Sequence, residues 1–262
     1  MAGISKYVLW VWALNVAVEL GLLLALASRK HYRNYPAFFS YICVDLLQAV
    51  VLLPGYLRWG FSAALTERFA WGTQGIVIFA RAWAIAEICW HLLGQYSGIW
   101  ALARRILLFF AFLVALYSIL TAGWQWDQTV LKADLGLELT IGVVIVILFL
   151  FARYYEIVAD PALRVLAIGF FLFSCFTVVN GSILQHKLKQ YEDLWRILGI
   201  LAFLASLSLW FSAFRKPLPV LASGPALLPG DVYRTLAPEV NVRLRRLNEQ
   251  LSKLGRSRKH RS

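Results

Sequence analysis

The sequence predicts an all-α polytopic membrane protein: a bundle of seven transmembrane helices, N-terminus outside, C-terminus cytoplasmic. Three observations carry that prediction. Of 262 residues, 60% are hydrophobic and only 15% are charged, against roughly 25% charged in an average soluble chain, and the mean hydropathy is +0.66. The apolar residues gather into segments of about 20, the length that crosses a bilayer core. The basic residues gather on one side of those segments.

The first segment, Tyr7–Ala27, contains Asn15 and Glu19, and basic residues follow it rather than precede it. It therefore reads as a retained helix and not as a cleavable signal peptide. The second, Ala37–Leu57, opens behind Pro36, whose fixed φ suits a first helical turn, and carries Asp45 and Gln48. The third, Phe69–Leu92, carries Gln74, Arg81, Glu87 and His91. The fourth and fifth, Ile106–Ala122 and Leu135–Phe151, are short for an untilted span and need a neighbouring half-turn. Around the fifth there is no polar–apolar alternation, which argues against a β-barrel. Val165–Leu184 and Leu194–Phe214 complete the bundle, a domain of residues 1–216.

Arg29, Lys30, Arg33, Arg104, Arg105, Arg153, Arg164, Arg215 and Lys216 fall at one end of the spans, and seven basic residues fall at the other. The tail beyond residue 216 adds nine, giving eighteen to seven, and the richer side is the cytoplasmic one. Tryptophans favour membrane interfaces. Trp10, Trp12, Trp59, Trp71, Trp124, Trp126 and Trp195 mark the outer ends, Trp90 and Trp100 the inner ends, and only Trp83 and Trp210 sit deeper. Cys43, Cys89 and Cys175 are an odd number in apolar runs without a C-x-x-C; they read as buried free thiols.

The loops are too short for an extracellular binding domain. The chain beyond residue 214 is too short for a kinase, cyclase or nucleotide-binding domain, and no P-loop or dinucleotide fingerprint occurs. Residues 217–262 form a linker and a tail. From Pro238 a helix is expected, with Val240, Leu244, Leu247, Leu251 and Leu254 making one apolar stripe. Residues 215–262 hold eight of the chain's twelve net positive charges. Two readings follow: a helix that lies on anionic inner-leaflet lipid or pairs with a partner helix, or a solvated basic end that fixes orientation. No recognition fold surrounds the basic stretch, so no nucleic-acid partner is expected.

Polar groups at bilayer depth are costly and turn inward. Asn15 and Glu19 are four apart, Asp45 and Gln48 three apart, and Gln74 and Arg81 seven apart, so each pair shares a helix face. The first three helices would therefore point a polar seam at one another, with Arg81 paired to Asp45 and Glu19 as second partner. That seam reads as a structural ion pair or as a proton- or substrate-binding site, in which a surplus acid titrates. Glu87 and His91, four apart on another face, read as a possible relay or metal pair, or as a hydrogen-bonded anchor of the inner helix end. Glu138 and Asn180 read as interfacial or as lining an outer vestibule.

Retinal binding is excluded by the lack of a lysine within the last helix. Zinc hydrolase and haem chemistry lack histidines within the spans, and no cofactor is expected. Three-plus-one-plus-three sugar transporters lean on helix-breaking prolines, which are scarce here, and no repeat relates the first three helices to the last three. The stretch His31-Tyr32-Arg33-Asn34-Tyr35-Pro36-Ala37-Phe38-Phe39, with Glu87 and His91, resembles a group of bacterial seven-helix inner-membrane proteins of uncharacterised activity. The resemblance covers most of residues 1–216 and implies a bacterial inner membrane. It carries over no reaction.

The function expected is thus a non-enzymatic sensor or accessory subunit. It would respond to a lipid, a hydrophobic ligand or a partner protein, with its output through the tail and with lipid, a protein partner or a second copy as its contacts. The alternatives are a small proton-coupled transporter built on Asp45, Glu19 and Arg81, and a lipid-modifying enzyme built on Glu87 and His91.

Overall fold

Inside a bilayer every backbone N–H and C=O must find its partner within the protein, and an α-helix does this locally. The computed structural model describes residues 6–59, 64–94, 96–122, 125–155, 157, 160–186, 192–215, 239 and 241–250. Among these residues it is all-helical, without strands. The elements are α1 (Lys6–Ser28), a 3-10 turn (His31–Arg33), α2 (Pro36–Trp59), α3 (Ala64–Leu93), α4 (Ser97–Ala122), α5 (Trp126–Tyr154), α6 (Pro161–His186) and α7 (Glu192–Phe214). Residues 241–250 form a further tail helix.

Six helices, α1 to α6, are long and apolar enough to cross a membrane, and α7 is apolar over Leu198–Phe214. This is a multi-pass membrane protein. Large apolar side chains point outward along the spans, among them Leu24, Phe79, Leu108, Phe112, Leu120 and Leu150. In water such a coat would be an aggregation surface; in lipid it faces its natural solvent.

Six of the helices close a ring, with α1 against α2, α2 against α3, α3 against α5, α5 against α6, α6 against α7 and α7 against α1. Helix α4 stands outside this ring, packed on α5 and α3. The end of the bundle where α1 meets α2, α3 meets α4 and α5 meets α6 carries Arg29, Lys30, Arg33, Arg104, Arg105, Arg153 and Arg164. It is called the basic end below.

An aromatic core fills the half of the ring nearest that end. Trp210 of α7 is fully buried, donates its Nε1–H to the Leu166 carbonyl of α6 at 3.1 Å, and meets Phe38 and Phe170 at centroid distances of 5.2 and 4.7 Å. Phe214 stacks on Phe38 at 5.7 Å. Helix α6 starts where an N-cap is expected. The Asp160 Oδ1 accepts the Ala162 N–H at 3.0 Å, and Pro161 takes the first turn, where no donor is needed.

Three expectations are corrected. Helices α4 and α5 begin at Ser97 and Trp126, nine residues before the apolar windows that open at Ile106 and Leu135. The charged residues there are accommodated rather than excluded: Arg104 and Arg105 are exposed at the basic end, and Lys132 donates to the Thr121 carbonyl at 2.7 Å. Of the cysteines, only Cys89 is buried; Cys43 is half-buried and Cys175 is exposed. A thiol on the lipid-facing side of a helix is under no packing constraint.

Candidate functional site

The polar residues inside the bundle form a chain of contacts across the ring. Gln48 of α2 donates its Nε2–H to Thr73 Oγ1 and Gln74 Oε1 of α3, both at 3.1 Å. Gln74 donates to Asp134 Oδ2 of α5 at 3.3 Å. Arg81 donates from Nη1 to Asp134 Oδ1 at 3.1 Å and to Glu138 Oε1. Ser174 of α6 donates to the other Glu138 oxygen. Four of the six ring helices thus share one hydrogen-bonded path.

Arg81 and Glu138 are both buried, at 4% and 0% exposure, so the pair is sealed from lipid. The guanidinium carbon lies 5.6 Å from the Tyr41 ring centroid and 5.2 Å from that of Phe173. Aromatic faces on either side favour a cation.

This overturns the expected pairing of Arg81 with Asp45. Among the described residues the ion pairs of Arg81 are with Asp134 and Glu138. The physical reason is neighbourhood: α3 packs against α5, and the two acids are four apart on one α5 face. Glu138 is likewise neither interfacial nor in a vestibule; it is the most buried acid of the network. Asn180 is half-buried beside Gly199 of α7.

The expected seam of α1, α2 and α3 therefore divides. Gln48, Gln74 and Arg81 belong to the α5-centred path. Asn15, Glu19 and Asp45 form a separate group between α1 and α2. Asn15 donates to Glu19 Oε1 at 3.3 Å, and the carboxyls of Glu19 and Asp45 lie within hydrogen-bonding reach of each other.

Glu87 and His91 come together at the start of α2. The Glu87 carboxylate accepts the N–H groups of Ala37 and Phe38 at 3.0 and 2.9 Å. Those are orphan donors of a helix N-terminus, which a carboxylate satisfies with favourable charge. His91 Nε2 meets the Asn34 carbonyl at 2.8 Å, and its ring lies 4.9 Å from that of Tyr35. Tyr35 in turn donates to Asp160 Oδ2 at 3.2 Å, so one knot of side chains ties the starts of α2 and α6 to the end of α3. Burial beside Asp160 pushes the Tyr35 phenol above its ordinary range. Among the described residues no group of three or more His, Cys, Asp or Glu is placed to hold a metal ion.

His31 sits in the same knot, 5% exposed, with its ring 5.5 Å from that of Phe214. Burial, reinforced by Arg29 and opposed by Asp160, holds its pKa below the ordinary 6.5. An unfolded His31 takes up a proton at higher pH than the folded one does. The unfolded state therefore binds more protons in the window below about 6.5, and stability falls as pH drops through it. Melting in nanodiscs should fall further between pH 7.5 and 5 for the wild type than for His31→Phe. Equal falls would show that His31 does not contribute.

The tail helix returns to the basic end. Leu244 is buried, at 2% exposure, within the same apolar cluster as the bundle core, and Leu247 packs against that cluster. Asn248 Oδ1 accepts the Gly98 N–H at 2.5 Å, which caps the first turn of α4. Arg243, Arg245 and Arg246 are exposed around it. Val240, Leu251 and Leu254, the rest of the expected stripe, and the linker 217–238 lie outside the described residues. The docked helix could not be foreseen from the stripe, because an amphipathic pattern reads the same against lipid, a partner or the chain's own bundle.

No family model, curated protein or solved structure matches this chain.

Proposed function

We propose that this protein is an integral membrane sensor or accessory subunit of a bacterial inner membrane. It spans the bilayer seven times, with α7 as the seventh span, its N-terminus outside and its basic end and tail in the cytoplasm. The bundle responds to a lipid, a small hydrophobic ligand or a partner protein, and the tail carries the output. The observation that carries this reading is the seating of Leu244 in the bundle cluster with Asn248 on the α4 N-terminus. A change in how α3 and α4 meet at that end alters the seat of the tail. Arg243, Arg245 and Arg246, exposed on the docked helix, face the side where anionic headgroups lie, and each basic group near such a surface contributes about 1 kcal/mol.

Hydrogen exchange of residues 241–250 in nanodiscs tests it. Leu244→Asp should raise exchange there and change the proteins and lipids that co-purify in gentle detergent. Unchanged exchange would remove the docked tail, and unchanged co-purification would remove its role in output.

One observation favours the second reading, a small proton-coupled transporter. Beside Asp134 and Glu138, which hold the Arg81 guanidinium, two more acids, Glu19 and Asp45, lie between α1 and α2, so carboxyls outnumber that guanidinium in the described interior. Uptake driven by a pH gradient in liposomes of the purified chain would establish it. A lipid-modifying enzyme built on Glu87 and His91 gains no such support, because backbone groups of the α2 start already engage both.

A further inference from the structure

We propose that Glu19 and Asp45 form a proton-binding site at the α1–α2 seam, one proton shared between two facing carboxyls, whose release drives the seam apart. Glu19 lies nine residues from the α1 end at Ser28, and Asp45 nine residues from the α2 start at Pro36. At about 1.5 Å per residue, both carboxyls therefore stand at the same depth, ~13 Å inside the basic end. Glu19 is 1% exposed, and no donor group reaches its Oε2. Two carboxyls can contact each other there only with at least one of them protonated, because two like charges at that separation do not both persist in an apolar medium.

The surroundings cannot discharge the pair in another way. On α1, Asn15 donates to Glu19 Oε1, while its own Oδ1 is buried without a partner. On α2, Tyr41 is fully buried one turn before Asp45, with its ring centroid 5.6 Å from the Arg81 guanidinium carbon. On α3, Arg81 acts on Asp45 through space, but its ion pairs are with Asp134 and Glu138 of α5. The described side chains of α7, Leu198–Phe214, include no titratable group. His31 of the 3-10 turn lies at the basic end against Phe214.

Asp45 is half-buried and Glu19 is fully buried, so the proton leaves from Asp45, toward water at the basic end. The O–H···O contact is then lost and two carboxylates remain. Helix α1 packs more extensively on α7 than on α2, so repulsion parts α1 and α2. The site belongs to the seam itself, whether the bundle senses or transports.

Infrared spectroscopy of the full chain in nanodiscs tests this. A protonated-carboxyl C=O band should be present at neutral pH, shift in deuterated water, and shift again when aspartate or glutamate carries 13C at the side-chain carboxyl. Glu19→Gln and Asp45→Asn should each remove or displace it, whereas Asp134→Asn should leave it. Absence of the band in the wild type at neutral pH overturns the proposal, and that measurement requires no variant to fold. So does a band unmoved by either substitution. Loss of this site would leave the tail output standing, and a tail unresponsive to Leu244→Asp would leave the site standing.

Discussion

Arg81→Met should be among the most damaging single substitutions in the bundle, costing ~3–5 kcal/mol, the range for breaking a buried pair by removing one partner. The cost lies in what remains. Glu138 is fully buried and would keep only the Ser174 hydroxyl as a partner. Asp134 would keep the Gln74 amide. The two acids, four apart on one face of α5, would then have to take up protons or open the helix to water. Arg81→Lys should rescue little, because the lysine nitrogen would end where the guanidinium carbon now lies, short of the Nη1 that both carboxylates share, and an ammonium is the more strongly hydrated charge. Arg81→Met combined with Glu138→Gln should recover part of the loss, since it removes the stranded charge together with its partner. The measurement is the folded fraction in detergent on heating, compared across the wild type, these three variants and Glu138→Gln alone. If the double variant is as unstable as the sum of the two single ones, the two groups are not coupled.

That network also shows where the sequence could be read and where it could not. The positions of the intramembrane polar residues, their shared helix faces and their inward direction follow from spacing and from the cost of charge in lipid. So do the helices themselves, since a window of apolar residues has few other forms in a bilayer. The partner of Arg81 did not follow, because spacing tells which residues share a face and not which helix lies opposite. A signal was present. Asp134 and Glu138 are four apart, as Asn15 and Glu19 are, but Asp134 stood one residue before an apolar window that began at Leu135. Treating the window as the helix hid half of the pair. Glu87 was open to misreading for a related reason. Its partners are backbone N–H groups of α2 fifty residues away in sequence, and backbone donors leave no mark in a motif.

Gly169→Ala should be the costliest small change in the apolar part of the bundle. Glycine lets α6 approach α7 so closely that an added Cβ would lie 2.2 Å from Trp210 Nε1 and 2.9 Å from two further indole atoms. Small residues at such crossings are what allow transmembrane helices to pack. The indole cannot easily yield. Its N–H is bonded to Leu166, one turn before Gly169, its faces and edges meet Phe38, Tyr41 and Phe170, and Ser206 of α7 donates to the Gly169 carbonyl at 3.1 Å. Overpacking of this kind costs roughly 1–3 kcal/mol, even though alanine is the better helix former by about 1 kcal/mol. Gly72→Ala supplies the control, since nothing lies within 4 Å of a Cβ there; it should melt at or slightly above the wild-type temperature. Trp210→Phe placed on the Gly169→Ala background should be less harmful than on the wild type, because the smaller ring makes room for the methyl group. Equal melting temperatures for Gly169→Ala and Gly72→Ala would mean that the indole does not rest on α6 at residue 169, and the aromatic core that α2, α6 and α7 share would need a different arrangement.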